Sequence, residues 1–192
     1  GGRADALLNW IYVKPGEMIY NPAGTVHAIG PGSVLLEVQQ NSDVTYRLYD
    51  YGRPRELHLE QGLAAMKERT NAGKVRVEGE RHMPTPGLPV HLDPERSRSV
   101  VLIAPHFLVL RATSGGFLTG HTHNLLPQIV VALEGCGKLR AKGAAEVTLA
   151  RGDVAVIPAS VPDFQILPQW NLDAHLIIPG LGDGPEPETS LT

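Results

Sequence analysis

The chain of 192 residues is long enough to bury the core of one large domain or two small ones, and 42% of its residues are hydrophobic. A formal charge of -3 supplies no diffuse basic field, which argues against nucleic acid and anionic membranes as partners and requires any anion to be held locally. The single cysteine, Cys136, excludes an internal disulfide and fits a reducing compartment, and no apolar run reaches the roughly 18 residues of a bilayer span.

The first residues, "GGRADALLNWIY", lack the charged start and apolar core of a signal peptide, so a cytoplasmic location is expected. From there, short β-branched or alternating runs lie between glycines and prolines. They are "GEMIYNPAG", "GSVLLEVQQ", "HFLVLRATSGG", "QIVVALEG", "KLRAKG", "AEVTLARG", "DVAVIPAS" and "DAHLIIPG". Many short strands with turn signals at this spacing predict an all-β sandwich or barrel. One segment departs from it. "LHLEQGLAAMKERT" sets Leu59, Leu63, Met66 and His58 on helical spacing opposite charges, which predicts a helix of about three turns. The following "MPTPGLPVHLDPERS" carries Pro84, Pro86, Pro89 and Pro94 and reads as an irregular connection, because proline neither donates to a ladder nor continues a helix. The expected layout is a β segment over 1–56, helix and linker over 57–98, a compact β domain over 99–180 and a flexible polar tail over 181–192.

Two stretches share a spacing. In "GEMIYNPAGTVH", Gly16, Pro22, Gly24 and His27 resemble the second motif of the cupin barrels, where the turn residues sit at the barrel mouth and the histidine projects inward as a metal ligand. A lone histidine after a turn is more often structural, but the full Gly-Pro-Gly-His frame favours a ligand. Further on, Gly115, His121, His123, Gln128 and Gly135 follow the spacing of the first cupin motif, and Gly152, Pro158, Ser160 and Asp163 that of the second. His121 and His123, at i and i+2, would share one strand face as two ligands must. Glutamine and aspartate replace the glutamate and last histidine of that pattern. Gln128 is a weak neutral ligand and Asp163 a competent one, so this second-barrel set reads either as a metal site or as solvated residues at the mouth of a retained barrel.

The combination "PAGTVHAI" and "LLEVQQNSDVTYRLYDYGR" resembles the type I mannose-6-phosphate isomerases, over about residues 12–66. The remaining chain resembles that family's carboxy-terminal barrel in layout and spacing. The implied fold is mainly β: cupin-type barrels or jelly rolls, a partial first and a complete second, with one helix between them. The implied activity is the zinc-dependent interconversion of mannose 6-phosphate and fructose 6-phosphate. The resemblance makes His27 the last protein ligand of the zinc, Arg47 the arginine beside the reacting carbons, and Glu37 an acidic residue of the pocket. Proton transfer between C1 and C2 through an enediol calls for a base, a Lewis acid and a fixed positive charge. Arginine suits the last, with a salt bridge to Asp43 or Asp50 as its purely structural alternative.

Other residues of the stretch take supporting readings. Asp43 is expected to fix Arg47 through a hydrogen bond. Tyr49 and Tyr51 share a strand face that packs under the helix, with Tyr46 opposite. Arg53 and Arg55 lie past the strand, either solvated or attracting a phosphate.

The family's other zinc ligands, a Gln-x-His pair and a glutamate, precede the matched stretch, and no such pair stands before His27. The first expectation is therefore a carboxy-terminal part of such an isomerase, inactive alone, whose open edge favours a homodimer or association with the missing segment. The alternatives are a non-enzymatic cupin module binding sugar phosphate, and a small metal-dependent cupin built on His121 and His123.

Overall fold

The computed structural model describes residues 4–76, 98–113, 118–180 and 186–191. A 3₁₀ turn at Ala4–Leu7 precedes, in chain order, β1 (Ile19–Tyr20), α1 (Leu59–Ala65), β2 (Gly73–Val75), β3 (Arg98–Ala104), β4 (Phe107–Thr113), β5 (Leu118–His121), β6 (Gln128–Ala141), β7 (Val147–Ala150), β8 (Val154–Ile157), β9 (Asp163–Pro179) and β10 (Thr189–Ser190). The chain divides into two compact units, residues 77–187 and residues 1–76 with 188–192.

The unit of residues 77–187 is organised by its two long strands. β6 and β9 pair antiparallel along their length, from Ile129↔Ile177 to Ala141↔Phe164. The outer edge of β6 bonds β8 through Gln128–Val131 and β7 through Cys136–Leu139. The outer edge of β9 bonds β5 through Asp163–Ile166 and β4 through Asp173–Pro179, and β3 pairs with β4. Register shifts between Ala132 and Gly137 bend the pair midway, so each long strand serves two layers. At the bend Gly135 has φ +66, and a Cβ there would overlap the carbonyl of Trp170. Only glycine fits that turn of the backbone.

Alternate residues of these strands meet inside. Leu108 and Leu110, Leu118, Val130 and Ala132, Leu139, Leu149, Ile157, Phe164 and Ile166, and Leu172 to Ile178 at every second position form one buried cluster. The layers share two bent strands and enclose one apolar interior, a mainly β arrangement as the sequence led us to expect. "QIVVALEG" and "KLRAKG", read as separate strands, are one, because the glycines between them carry a bulge rather than a turn.

The other unit is built differently. Its sheet has three short strands in the order β1-β2-β10. The expected strand "GSVLLEVQQ" is absent: residues 33–40 form no strand, and Val34, Leu35 and Leu36 are exposed. A strand exists only when a neighbour takes its backbone bonds, and among the described residues none does. The helix is shorter than predicted, running seven residues from Leu59 to Ala65. Its apolar positions Leu59, Leu63 and Met66 are exposed, while Gly62 is buried where a side chain would strike Leu48. The chain leaves the helix at Met66 in an extended conformation, and Lys67 N–H then donates to Gly24 O (3.0 Å).

The tail also departs from expectation. Thr189 and Ser190 pair with β2, Arg76 N–H donates to Glu188 O (3.0 Å), and Thr189 Oγ1 donates to Asn71 Oδ1 (2.8 Å). Backbone and hydroxyl partners thus hold a polar segment that burial could not. The proline-rich linker over 77–97, Gly115 and residues 181–185 lie outside the described residues. Among the described residues no helix is long and apolar enough to cross a membrane.

Candidate functional site

The His27 turn is built from its glycine. Thr25 N–H donates to Pro22 O (3.1 Å), and Gly24 takes φ +88, the left-handed conformation that a turn of this type requires. A Cβ on Gly24 would sit 3.0 Å from Ala65 O, so glycine also lets the turn approach the helix end. Past this turn His27 is exposed, with Nδ1 3.0 Å from Thr25 O. In the tautomer protonated at Nδ1 it donates to that carbonyl and leaves the Nε2 lone pair outward, the disposition of a metal-binding imidazole.

Arg47 is held twice. Its backbone N–H donates to His58 Nδ1 (3.1 Å), and His58 N–H donates back to Arg47 O (2.8 Å). Its guanidinium donates through Nη1 to Glu56 O (3.2 Å), and the side chain remains partly exposed. Neither the bond expected from Asp43 nor the alternative ion pair is formed: among the described residues neither Asp43 nor Asp50 bonds Arg47. Asp43 is exposed, and Asp50 is occupied elsewhere. His58, which the sequence places on the apolar face of the helix, is instead the residue before its first turn and the anchor of Arg47. Its ring also meets the edge of Tyr46 at 6.2 Å.

Glu37 is exposed and lies outside any strand. Tyr49 and Tyr51 do not share a strand face under the helix as expected: no strand forms there, their ring centroids meet 4.8 Å apart through a turn, and Leu48 and Tyr46 are the residues that approach Gly62 of the helix. Tyr51 has φ +53 and Gly52 φ +78, and Arg53 N–H closes the turn on Asp50 O (2.9 Å). Asp50 is a buried charge, 4% exposed, and receives both Arg53 and Arg55. The hydrogen bond from Arg55 holds its carboxyl below the usual range, with Arg53 adding attraction and burial opposing. Sequence reasoning missed Asp50 as an organiser, although its spacing to Arg53 and Arg55 was visible.

In the other unit, β5 ends at His121, whose Nδ1 pairs with Asp163, its cross-strand neighbour in register. His123 lies beyond the strand in a turn at φ +52, so the two histidines do not share a strand face. Their ring centroids are 5.9 Å apart. Gln128, fully buried, spends its amide N–H on His121 O (2.8 Å), and its Oε1 has no partner among the described residues. Buried Thr122 fixes the intervening residue, its hydroxyl donating toward the Ala159 and Val161 carbonyls (2.8 and 2.9 Å).

The zinc expected of the resemblance can be tested on these donors. A catalytic zinc takes about three protein ligands and an open position. Among the described residues no group of three histidine, cysteine, aspartate or glutamate side chains is placed to hold a metal. His27 has the orientation of one ligand; the described residues alone do not fit the ion.

No family model matches the chain. Mannose-6-phosphate isomerase ManA of Bacillus subtilis is 53% identical over 72 residues, covering 34% of this chain and 23% of that protein. Mannose-6-phosphate isomerase of Streptococcus mutans is 34% identical over 172 residues, covering 85% and 49%. The solved mannose 6-phosphate isomerase of Bacillus subtilis aligns at 25% identity with a TM-score of 0.44, covering 72% of this chain and 41% of that one. The chain is related in sequence to the mannose-6-phosphate isomerases. It spans about half the length of the relative from Streptococcus mutans.

Proposed function

We propose that the chain is the carboxy-terminal part of an aldose–ketose isomerase that interconverts mannose 6-phosphate and fructose 6-phosphate in the cytoplasm. The observation that carries this reading is the double tether on Arg47. Its backbone is locked to His58 and its guanidinium is steadied on Glu56, yet the charge stays partly open to a ligand. A fixed cation of this kind stabilises the negative charge that develops on an enediolate without reorganising as the charge forms. Glu37 supplies the acidic group for proton transfer between adjacent carbons. His27 contributes one donor to a zinc ligand set completed by residues outside this chain, and the half-length match to the Streptococcus mutans protein supports that division. Asp43 and Arg53 line the approach of the substrate.

The reading predicts no isomerisation by this chain alone. Joined to the remaining half of such an isomerase, it should form fructose 6-phosphate in a coupled assay. In that active protein Arg47→Ala should retain zinc and lower turnover on the order of a hundredfold. Turnover unchanged by the substitution would remove Arg47 from the chemistry.

A further inference from the structure

Strand β8 is an edge with one open side. It bonds β6 along Gln128–Val131, and among the described residues no strand takes its other side. An apolar row leads to it on the face turned away from the interior cluster. In register across five strands stand Leu102, Val109, Ile177, Ile129 and Val156, with the Val131–Val154 pair beside them. The row is buried at Leu102, Val109 and Ile177, whereas Val154 and Val156 are 61% and 63% exposed. Among the described residues, apolar row and backbone ladder both stop at β8.

Edge strands are ordinarily blunted by lysine, proline, a bulge or an inward charge, because open backbone groups invite another strand. Val-Ala-Val-Ile, residues 154–157, carries none of these. The edge at β7 differs: Glu146, just before it, binds Lys138 and Arg140 of β6 and sets charges there. Strand β8 is also held in place at both ends. At its start Asp153 N–H donates to Ala150 O (2.9 Å) and Ala150 N–H to Asp153 Oδ2 (2.8 Å), around Gly152 at φ +89. At its end Pro158 O accepts from Val161 N–H (3.0 Å), and proline has no N–H to extend a ladder. A strand so fixed loses little freedom on pairing.

Its pattern is self-complementary. Antiparallel pairing about Ala155 sets Val154 opposite the partner's Val156 and Val156 opposite the partner's Val154, an isologous contact. Asp153 then faces the partner's Ile157 and no like charges meet, whereas in-register parallel pairing would set the two copies of Asp153 side by side. We propose that β8 is the surface through which two copies of this chain associate, continuing the sheet across a twofold axis. It lies in the unit that holds neither His27 nor Arg47, apart from the open edge expected of the first barrel, and does not depend on the isomerase reading. A four-residue ladder is at the small end of protein contacts, so association grows with protein concentration.

Sedimentation velocity of the full chain over a dilution series tests this. The wild type should shift from monomer toward dimer as concentration rises. Val156→Lys and Val154→Glu, both at exposed positions, should each weaken association about tenfold, the scale of losing one central contact residue. Combining the two substitutions brings opposite charges together across the antiparallel register and should restore association above either single variant. A double variant no tighter than the singles overturns that register. Hydrogen exchange locates the contact: the β8 amides that β6 does not bond should slow as concentration rises. Slowing that is complete at the lowest concentration would assign their cover to the chain itself and overturn the dimer. A wild type monomeric at every concentration, or a dimer indifferent to Val156→Lys, removes β8 as the interface. Circular dichroism verifies folding of each variant, and either single variant suffices if the other unfolds.

Discussion

The two units use opposite means to hold their shape. In residues 77–187, alternate side chains of seven strands fill one interior, and Leu110, Val130, Ile166, Ala174 and Leu176 are wholly buried. In residues 1–76 with 188–192, large apolar side chains such as Trp10, Tyr12, Val34 and Leu63 stand exposed. Order there comes from turns, backbone bonds and ion pairs. Apolar burial scales with area, while a polar tether is worth only a modest net amount, so the same kind of substitution should read very differently in the two units.

The largest effect is expected from emptying the interior. Phe164 is 1% exposed and lies over Gly120, so Phe164→Ala should cost about 3–5 kcal/mol in chemical denaturation. The matched change in the other unit, Leu63→Ala at a side chain 59% exposed, should stay within about 0.5 kcal/mol. Comparable losses at the two positions would erase the contrast. Filling rather than emptying gives the next effect. A methyl on Gly120 would overlap the Phe164 ring, so Gly120→Ala should cost about 1–3 kcal/mol by overpacking. A neutral result would mean that the ring has room to move.

The same contrast decides what could be read from the residues. Strands β4, β7 and β8, the two halves of β6 and the second half of β9 are legible because period-2 alternation and glycine turns agree with a partner that the chain itself supplies. "GSVLLEVQQ" has the same pattern, but pattern is a request for a neighbour, and none of the described residues answers it. The site is legible in part for a related reason. The Gly24 turn and His27 follow from local backbone chemistry, whereas the anchor of Arg47 is a histidine eleven positions on. His58 carries apolar-face spacing and gives no sign that its ring nitrogen faces another residue's backbone. Asp50 was visible beside two arginines; that its carboxylate is buried and their side chains exposed was not.

If polar tethers hold the smaller sheet's unit, removing one should matter there more than removing a leucine. His58→Ala deletes the acceptor of Arg47 N–H in a partly buried pair and should cost about 1 kcal/mol. If the chain acts as proposed, the substitution should also reduce turnover in the joined protein, because the guanidinium loses its fixed base. A stability change below that of Leu63→Ala would show that the tether follows the fold rather than holding it.

The smallest effect expected is on pH dependence, and it sharpens the contrast from the side of the apolar unit. His175 lies on β9 next to the Arg111–Asp173 pair, whose shorter bond is 2.5 Å. Burial pushes its pKa below the ordinary 6.5, with Arg111 acting in the same direction and Asp173 opposing. A base whose folded pKa is depressed stays neutral in the native state while the unfolded chain takes up a proton. Its contribution is therefore present above about pH 6.5 and is lost as pH falls toward the lower folded value. The thermal midpoint of the 77–187 transition should fall between pH 7.5 and 5.5, and His175→Gln, which cannot titrate, should flatten that part of the profile. An equal fall in the variant would assign the pH dependence to other groups and leave His175 a spectator in the sheet.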